Sequence, residues 1–233
     1  MKKLVKVVLI TGASRGLGAA IAKLFLENDD IVYINYNKSE KEAIELAKSY
    51  VNAKLIKCDV SCESQVKVMI EQIKEEEGHI DVLVNNAAIC RDNYFNDKTV
   101  HEFQEVLNTN LIGPFLTSKY VGNLMLEQED GVMINIASTN AIDTNETYTM
   151  DYDASKAGLI SLTHNFAKAL APHIRVNAVA PGWIKTEAVM EMEPHYLKEE
   201  ANKVMLERFA EPEEIAKVVF FLASGDASYI NNT

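Results

Sequence analysis

The sequence predicts an α/β domain built on a doubly wound parallel sheet, a three-layer arrangement with helices on both faces. Three observations carry that expectation. Short apolar, β-rich runs recur along the chain with helical patterns between them. A glycine-rich turn follows the first run at once and opens an amphipathic stretch. The 233 residues, 48% hydrophobic and 24% charged, can bury a substantial core within one domain. No internal repeat, low-complexity tract or long Pro/Gly linker marks a second one.

The first run, Val5 to Ile10, leads into Thr11-Gly12-Ala13-Ser14-Arg15-Gly16-Leu17-Gly18 and then the amphipathic stretch Leu17 to Leu26. That order reads strand, glycine turn, helix start. Such a turn lets backbone N–H groups approach a pyrophosphate while the positive end of the helix dipole faces the anion. Gly12, Ser14, Arg15, Gly16, Leu17 and Gly18 are therefore candidates to hold a dinucleotide. The spacing G-x-x-x-G-x-G is a variant of G-x-G-x-x-G, and three glycines also serve a plain tight connection.

The second run, Ile31 to Tyr36, ends in Asn35-Tyr36-Asn37-Lys38-Ser39. A carboxylate about 20 residues beyond the glycine turn would bind the ribose 2′-hydroxyl of NAD, and none stands here. Arg15 and Lys38 could pair with a 2′-phosphate, so NADP(H) is expected over NAD(H). Lys38 reads equally as solvated surface charge. Further runs lie at Ala53 to Ile56, Ile80 to Val84, Val132 to Ile136 and Ile174 to Val179. Crossover helices between them place the ligand outside the carboxyl ends of the strands.

The least regular stretch, Gly182 to Met205, holds Trp183, Met190, Met192, Tyr196 and Met205 among many glutamates. It reads either as an amphipathic helix on the core or as a lid, spanning about 182–206, over a partly apolar pocket. Lys plus Arg number 23 against 34 Asp plus Glu, a net charge of −11, which disfavours nucleic acid or an anionic membrane as partner. Met1-Lys2-Lys3 precedes an apolar segment of only about seven residues, too short to span a bilayer, and the expected compartment is the cytoplasm. Cys58, Cys62 and Cys90 are odd in number, and His79, His101, His164, His173 and His195 are scattered singly, so no metal site is expected.

Tyr152-Asp153-Ala154-Ser155-Lys156 puts a phenol and an ammonium four residues apart, on one face if Tyr152 to Leu170 is helical. A neighbouring positive charge would lower the tyrosine pKa from about 10 and let it exchange a proton with a carbonyl or alcohol oxygen. The same Y-x-x-x-K spacing occurs at Tyr50/Lys54 and Tyr94/Lys98. Only Tyr152/Lys156 opens a long helical pattern, and it follows Ser138, just past the fifth run, whose hydroxyl could hydrogen-bond a substrate oxygen. Tyr94/Lys98 falls in a polar loop.

With these residues in place the chain resembles the short-chain dehydrogenase/reductase family, in its compact form and over essentially its whole length. The matching pieces come in family order: the glycine turn, Asp59-Val60, Asn85-Asn86-Ala87-Ala88, Asn110 in Asn108-Thr109-Asn110-Leu111, Ser138 with Tyr152 and Lys156, Arg175-Val176-Asn177, and Pro181-Gly182 through Ile184 to Thr186. The resemblance implies a Rossmann-type fold in which Tyr152 is the general acid/base, Lys156 lowers its pKa and holds the nicotinamide ribose, and Ser138 positions the substrate oxygen. It implies that Asn110 completes a water-linked proton relay through Lys156, that Asp59 contacts the adenine, and that Asn86, Ala87 and Ala88 line the adenosine ribose. A homo-oligomer, dimer or tetramer, is implied as well. Read singly, Asn110 could kink its helix, Ser138 end a strand and Asp59 cap a helix.

Three features depart from the family pattern. Ala88 stands where glycine is usual. The loop from Ser138 to Tyr152 is longer and carries Asp143, Asn145, Glu146, Thr147, Tyr148, Met150 and Asp151. The segment Ala227 to Thr233 approaches a final strand that is then absent, so that either the chain is cut short or a sheet edge is left uncovered. The resemblance is greatest to the 3-oxoacyl-acyl-carrier-protein reductase group, including Arg208-Phe209-Ala210-Glu211-Pro212-Glu213-Glu214-Ile215. It implies reduction of a small carbonyl substrate, free or carrier-bound, by NADPH. Two alternatives stand beside it, a sugar, polyol or small-alcohol dehydrogenase and a catalytically idle dinucleotide-binding protein.

Overall fold

Apolar runs with burial on both faces form the interior strands, as parallel sheets flanked by helices require. The computed structural model describes residues 5–143 and 146–233, which leaves Asn145 outside the described residues. Six strands, β1 (Val7–Ile10), β2 (Ile31–Tyr36), β3 (Ala53–Lys57), β4 (Val82–Asn85), β5 (Gly131–Ile136) and β6 (Ile174–Val179), form one sheet in the order β3-β2-β1-β4-β5-β6. All pairs are parallel; Val8, for example, pairs with Val32 on one side and Val82 on the other. The expected doubly wound sheet is therefore present. Because β1 and β4 are neighbours and their chains leave in opposite directions, a crevice opens at their carboxyl ends.

Alternate residues of β1 feed two cores. Val8 and Ile10 pack with Phe25 of α1 (Gly16–Leu26), Ala43 of α2 (Glu40–Ala47) and Val219 of α9 (Pro212–Leu222). Val7 and Leu9 pack with Ile73 of α3 (Glu63–Glu77), Met125 of α5 (Gly113–Gln128) and Leu170 of α6 (Met150–Leu170). A shorter helix, α4 (Val100–Leu107), passes into α5 through one π-helical turn, Asn108–Ile112. The remaining helices, α7 (Glu187–Met190) and α8 (Pro194–Lys203), bury no residue. No helix among the described residues is long and apolar enough to cross a membrane.

Two expectations need correction. The first strand begins at Val7, not Val5, which is exposed. The edge beyond β6 is not left bare: Asn232 N–H donates to the Val176 carbonyl at 3.0 Å, and Ala178 N–H donates to the Thr233 carbonyl at 2.6 Å. The Asn177 amide holds the Ile230 carbonyl at 2.9 Å. The final residues thus satisfy part of the β6 ladder without forming a seventh strand.

Candidate active site

The glycine turn takes its shape from what surrounds it. Gly12 (φ 63°) and Gly16 (φ 56°) lie in the left-handed region, where a side chain is costly. A Cβ on Gly12 would stand 2.8 Å from the Ala87 Cα, and one on Gly18 would stand 2.4 Å from the Gly12 carbonyl oxygen. The helix that follows carries no acidic residue in its first turn, and its N-cap, Arg15, makes no side-chain cap bond. Its positive end is therefore left to whatever lies in the crevice, and this cradle fits a dinucleotide pyrophosphate. Ser14 and Leu17 are buried beneath the turn, whereas the Arg15 side chain is exposed.

Neighbouring strand ends hold the turn rigid. Asn35 is buried, accepts the Gly12 N–H at 3.1 Å and donates to the Ile56 and Cys58 carbonyls at 3.3 and 3.1 Å. Its amide is committed to the protein, so it shapes the site from behind. The Tyr36 hydroxyl donates to Glu40 at 3.1 Å. Asn37 and Lys38 are the exposed side chains at this end. Asn86 likewise faces inward, donating to the Thr11 and Gly12 carbonyls at 2.9 and 3.0 Å, while the Thr11 hydroxyl accepts the N–H groups of Asn86 and Ala87 at 3.0 Å. Ala88 is exposed. Asp59 accepts the Ser61 N–H and hydroxyl at 2.9 and 2.6 Å. Burial alone would raise its pKa, but Ser61, Asn37 and the Lys38 charge hold it below the usual carboxylate value. Val60 packs against Gly113, where a Cβ would come within 2.8 Å of its side chain.

Ser138, Tyr152 and Lys156 come together where β5 ends. The Ser138 hydroxyl donates to Asn140 Oδ1 at 3.2 Å and accepts the Asn140 N–H at 3.2 Å. The Asn140 amide in turn donates to Asp153 at 2.8 Å. Lys156 is buried, donates to the Ile136 carbonyl at 2.6 Å, and places its ammonium 5.5 Å from the Tyr152 ring centre. Burial lowers the Lys156 pKa to about 8.

The expected lowering of the Tyr152 pKa is corrected. Burial pushes it up to about 12, with a hydrogen bond to Ser138 opposing the rise. The ammonium lies over the ring and not at the hydroxyl, and taking a phenolate out of water outweighs its attraction. Both side chains are thereby biased toward their neutral forms.

Asn110 is buried in the π-helical turn, where its side chain accepts the Ile89 N–H at 2.8 Å and donates to the Ile89 carbonyl at 2.8 Å and to Ser155 at 3.2 Å. Its side chain is thereby committed to the protein. Pro181 and Gly182 lie beside Ser138: Thr139 N–H donates to the Pro181 carbonyl at 3.0 Å. Ile184 bridges to Ala210, and Thr186 stands against the glycine turn, 3.4 Å from where a Gly16 Cβ would lie.

Several residues beneath the site were given no role from the sequence. Asn85 donates to Ser118 at 2.9 Å and to Asn135 at 2.8 Å, and Asn135 reaches Thr163 at 2.8 Å. This buried polar floor joins β4, β5, α5 and α6 below Ser138. Its signal was the asparagines within Val82–Asn85 and Gly131–Ile136, otherwise apolar strands. Lys98, read as lying in a polar loop, is in fact buried in an ion pair with Asp151.

Comparison with known proteins agrees with this geometry. A family model described as enoyl-(acyl carrier protein) reductase matches residues 12–233. A 3-oxoacyl-acyl-carrier-protein reductase FabG of Thermotoga maritima is 40% identical over 97% of this chain and 93% of its own. The reductase of the same name from Staphylococcus aureus is 37% identical over 98% of this chain and 94% of its own. A crystal structure of gox2181 superposes with a TM-score of 0.91 at 31% identity, covering 98% of this chain and 92% of that one. With the cradle and the Ser138–Tyr152–Lys156 cluster on one parallel sheet, these matches show that the chain belongs to the short-chain dehydrogenase/reductase family and is an NAD(P)-dependent oxidoreductase acting between CH–OH and carbonyl groups.

Proposed function

We propose that the protein reduces a 3-oxoacyl thioester, free or carrier-bound, to the 3-hydroxyacyl product with NADPH as reductant. The observation that carries the reading is the cluster itself. Ser138, a protonated Tyr152 and a buried Lys156 lie at the carboxyl end of β5, on the sheet whose glycine turn fits a dinucleotide. The names of the relatives favour the thioester among carbonyl substrates.

When bound, the nicotinamide supplies the hydride. The chain supplies orientation and a proton. Ser138 donates a hydrogen bond to the substrate oxygen, and Tyr152 gives its hydroxyl proton to that oxygen as the C–H bond forms. The Lys156 ammonium, anchored on Ile136, steadies the resulting phenolate and binds ribose hydroxyls. The Asn110 carbonyl would accept a hydrogen bond from a water, and that water would hand the replacement proton to Lys156. Gly12, Ser14, Gly16, Leu17 and Gly18 would hold the pyrophosphate and Arg15 the 2′-phosphate, Asp59 and Val60 would flank the adenine, and Ala87 and Ala88 would border its ribose.

The preference for NADPH rests on the end of β2, where the exposed side chains are the Asn37 amide and the Lys38 ammonium, with Arg15 exposed nearby in the turn. No carboxylate in Asn35 to Ser39 opposes a 2′-phosphate. Residues 182–206 act as the lid. Their ends are pinned where Ala210 N–H donates to the Trp183 carbonyl and Lys185 N–H to the Ala210 carbonyl, both at 2.9 Å, while α7 and α8 between them bury nothing. A dimer or tetramer would cover the exposed apolar side chains of Ile112, Phe115 and Leu126 on and beside α5.

One observation favours a second reading, a polyol or small-alcohol dehydrogenase. Partial burial raises the pKa of Tyr196 of α8, and the charges of Glu200, Glu146 and Asp92 add to the rise against the opposing Lys203. An acidic surround suits a neutral hydroxylated substrate better than an anionic carrier. Initial rates with acetoacetyl-coenzyme A, using NADPH and NADH in parallel, test the proposal. Fast NADPH-selective turnover supports it. No turnover with NADPH shown to bind, together with oxidation of a polyol, replaces it with the second reading.

A further inference from the structure

We propose that Lys98 and Asp151 are a positioning pair that holds Tyr152 in its reactive place, an inference that rests on Tyr152 being the proton donor. Tyr152 is the third residue of α6. It therefore lies in the turn whose N–H groups have no carbonyl partner within the helix, where helices fray most readily. The N-cap residue does not compensate. Thr149 makes no side-chain cap bond, and its hydroxyl donates instead to Asp153 at 3.1 Å.

Asp151 takes over that task. Fully buried, it accepts the Tyr152 N–H on Oδ1 at 2.9 Å and the Lys98 ammonium on Oδ2 at 2.8 Å. The Lys98 side chain is only 3% exposed and donates also to the Arg91 carbonyl at 2.6 Å. Two further contacts clasp the same segments: Asn93 N–H donates to the Tyr148 carbonyl at 3.2 Å, and the Tyr94 and Tyr148 rings lie 5.4 Å apart. The loop after β4 and the entry to α6 thus form one unit, with the catalytic phenol borne one residue beyond its ionic centre.

Stability does not call for such a pair, because apolar side chains of similar volume commonly serve a core as well as a buried ion pair does. Direction is what the pair supplies. An ammonium with two fixed acceptors and a carboxylate with two fixed donors permit one arrangement of the four groups, whereas apolar contact permits many. Tyr152 needs that restriction, since its hydroxyl must meet the substrate oxygen that Ser138 holds, and about an ångström of misplacement can cost a hundredfold in rate.

The test is the double variant Lys98→Met/Asp151→Asn, which removes both charges together and keeps an acceptor for the Tyr152 N–H. NADPH binding, measured by titration, counts folded sites; turnover of acetoacetyl-coenzyme A is measured per site. The expected result is a fall in kcat of at least about tenfold, with KM and the cofactor Kd within about threefold of the parent. A purely structural role would lower the number of sites and leave kcat per site unchanged, and kcat within twofold of the parent overturns the proposal. Tyr152→Phe, run alongside, separates the two failures: if it stays active, the reading of Tyr152 is wrong, and if it is inactive while the double variant is normal, only the pair is wrong. Amide hydrogen exchange on the unmodified protein needs no variant to fold. Slow exchange at Tyr152 supports the pair, and exchange as fast as at a frayed helix end overturns it.

Discussion

The Lys156 ammonium donates to the Ile136 carbonyl at 2.6 Å, which ties the helix bearing Tyr152 to the strand that leads into Ser138. This one bond fixes the two halves of the candidate catalytic cluster against each other. It also buries a positive charge for which no carboxylate partner is found among the described residues, and that has a thermodynamic consequence.

Burial lowers the Lys156 pKa from 10.5 to about 8, so the unfolded chain binds this proton more tightly than the folded protein. The burden on stability is full at pH 7 and eases as pH rises from about 8 to 10.5. Lys156→Met is therefore expected to melt a few degrees higher than the parent at pH 7, with the gap narrowing by pH 10, while turnover is lost. Thermal denaturation at the two pH values checks this. A lower melting temperature at pH 7 would show that the bond to Ile136 outweighs the cost of burial.

Tyr152→Phe removes the transferable proton and little else. Turnover is expected to fall by at least about a hundredfold with NADPH affinity within about twofold. Steady-state rates and a cofactor titration on the same preparation decide it, and unaltered turnover excludes Tyr152 as the acid.

Reduction and oxidation should differ in their dependence on pH. With its pKa pushed up to about 12, Tyr152 holds its proton at neutrality and is ready to donate it, so reduction is expected to vary little between pH 6 and about 8. Alcohol oxidation requires the phenolate and is expected to accelerate through the same range, because each unit of pH raises the phenolate fraction about tenfold. Rates in both directions across that range are the measurement. An oxidation rate independent of pH would mean that another group accepts the proton.

Arg15 and Asn35 flank one turn but are expected to fail differently. Arg15→Ala removes an exposed cation and should weaken NADPH binding by about tenfold while sparing NADH. Asn35→Ala strips the Gly12 N–H and the Ile56 and Cys58 carbonyls of their partner. It is expected to cost about 1–3 kcal/mol of stability and to weaken both cofactors alike. Dissociation constants for the two cofactors, with melting curves, separate the roles; equal losses of both in Arg15→Ala would remove its proposed part in reading the phosphate.

The sheet, the glycine turn and the Tyr152/Lys156 pair were legible in the sequence because each rests on local pattern. Val7 to Ile10 is an unbroken apolar run, Gly12 and Gly16 answer a backbone demand within a few residues, and residues four apart on a helix share a face by geometry alone. What depended on distant neighbours was not legible. Asn35 and Asn86 looked like ligands of the cofactor but turn inward, because buried carbonyls after β1 and β3 required donors. Lys98 carried the same Y-x-x-x-K spacing as Lys156 and read as part of a polar loop, with nothing local to show that its side chain is buried.

By itself the sequence determined the architecture and the chemical inventory: six apolar strands, a pyrophosphate cradle, a serine, a tyrosine and a lysine in order. Only the tertiary structure decided which polar groups face the crevice and which support it, where the last residues dock along β6, and that Lys98 is sealed against Asp151. The physical reason is that periodicity and turn chemistry act over a few residues. Burial and hydrogen-bond satisfaction, which set the Tyr152 and Lys156 pKa values, are properties of surfaces assembled from segments far apart in the chain.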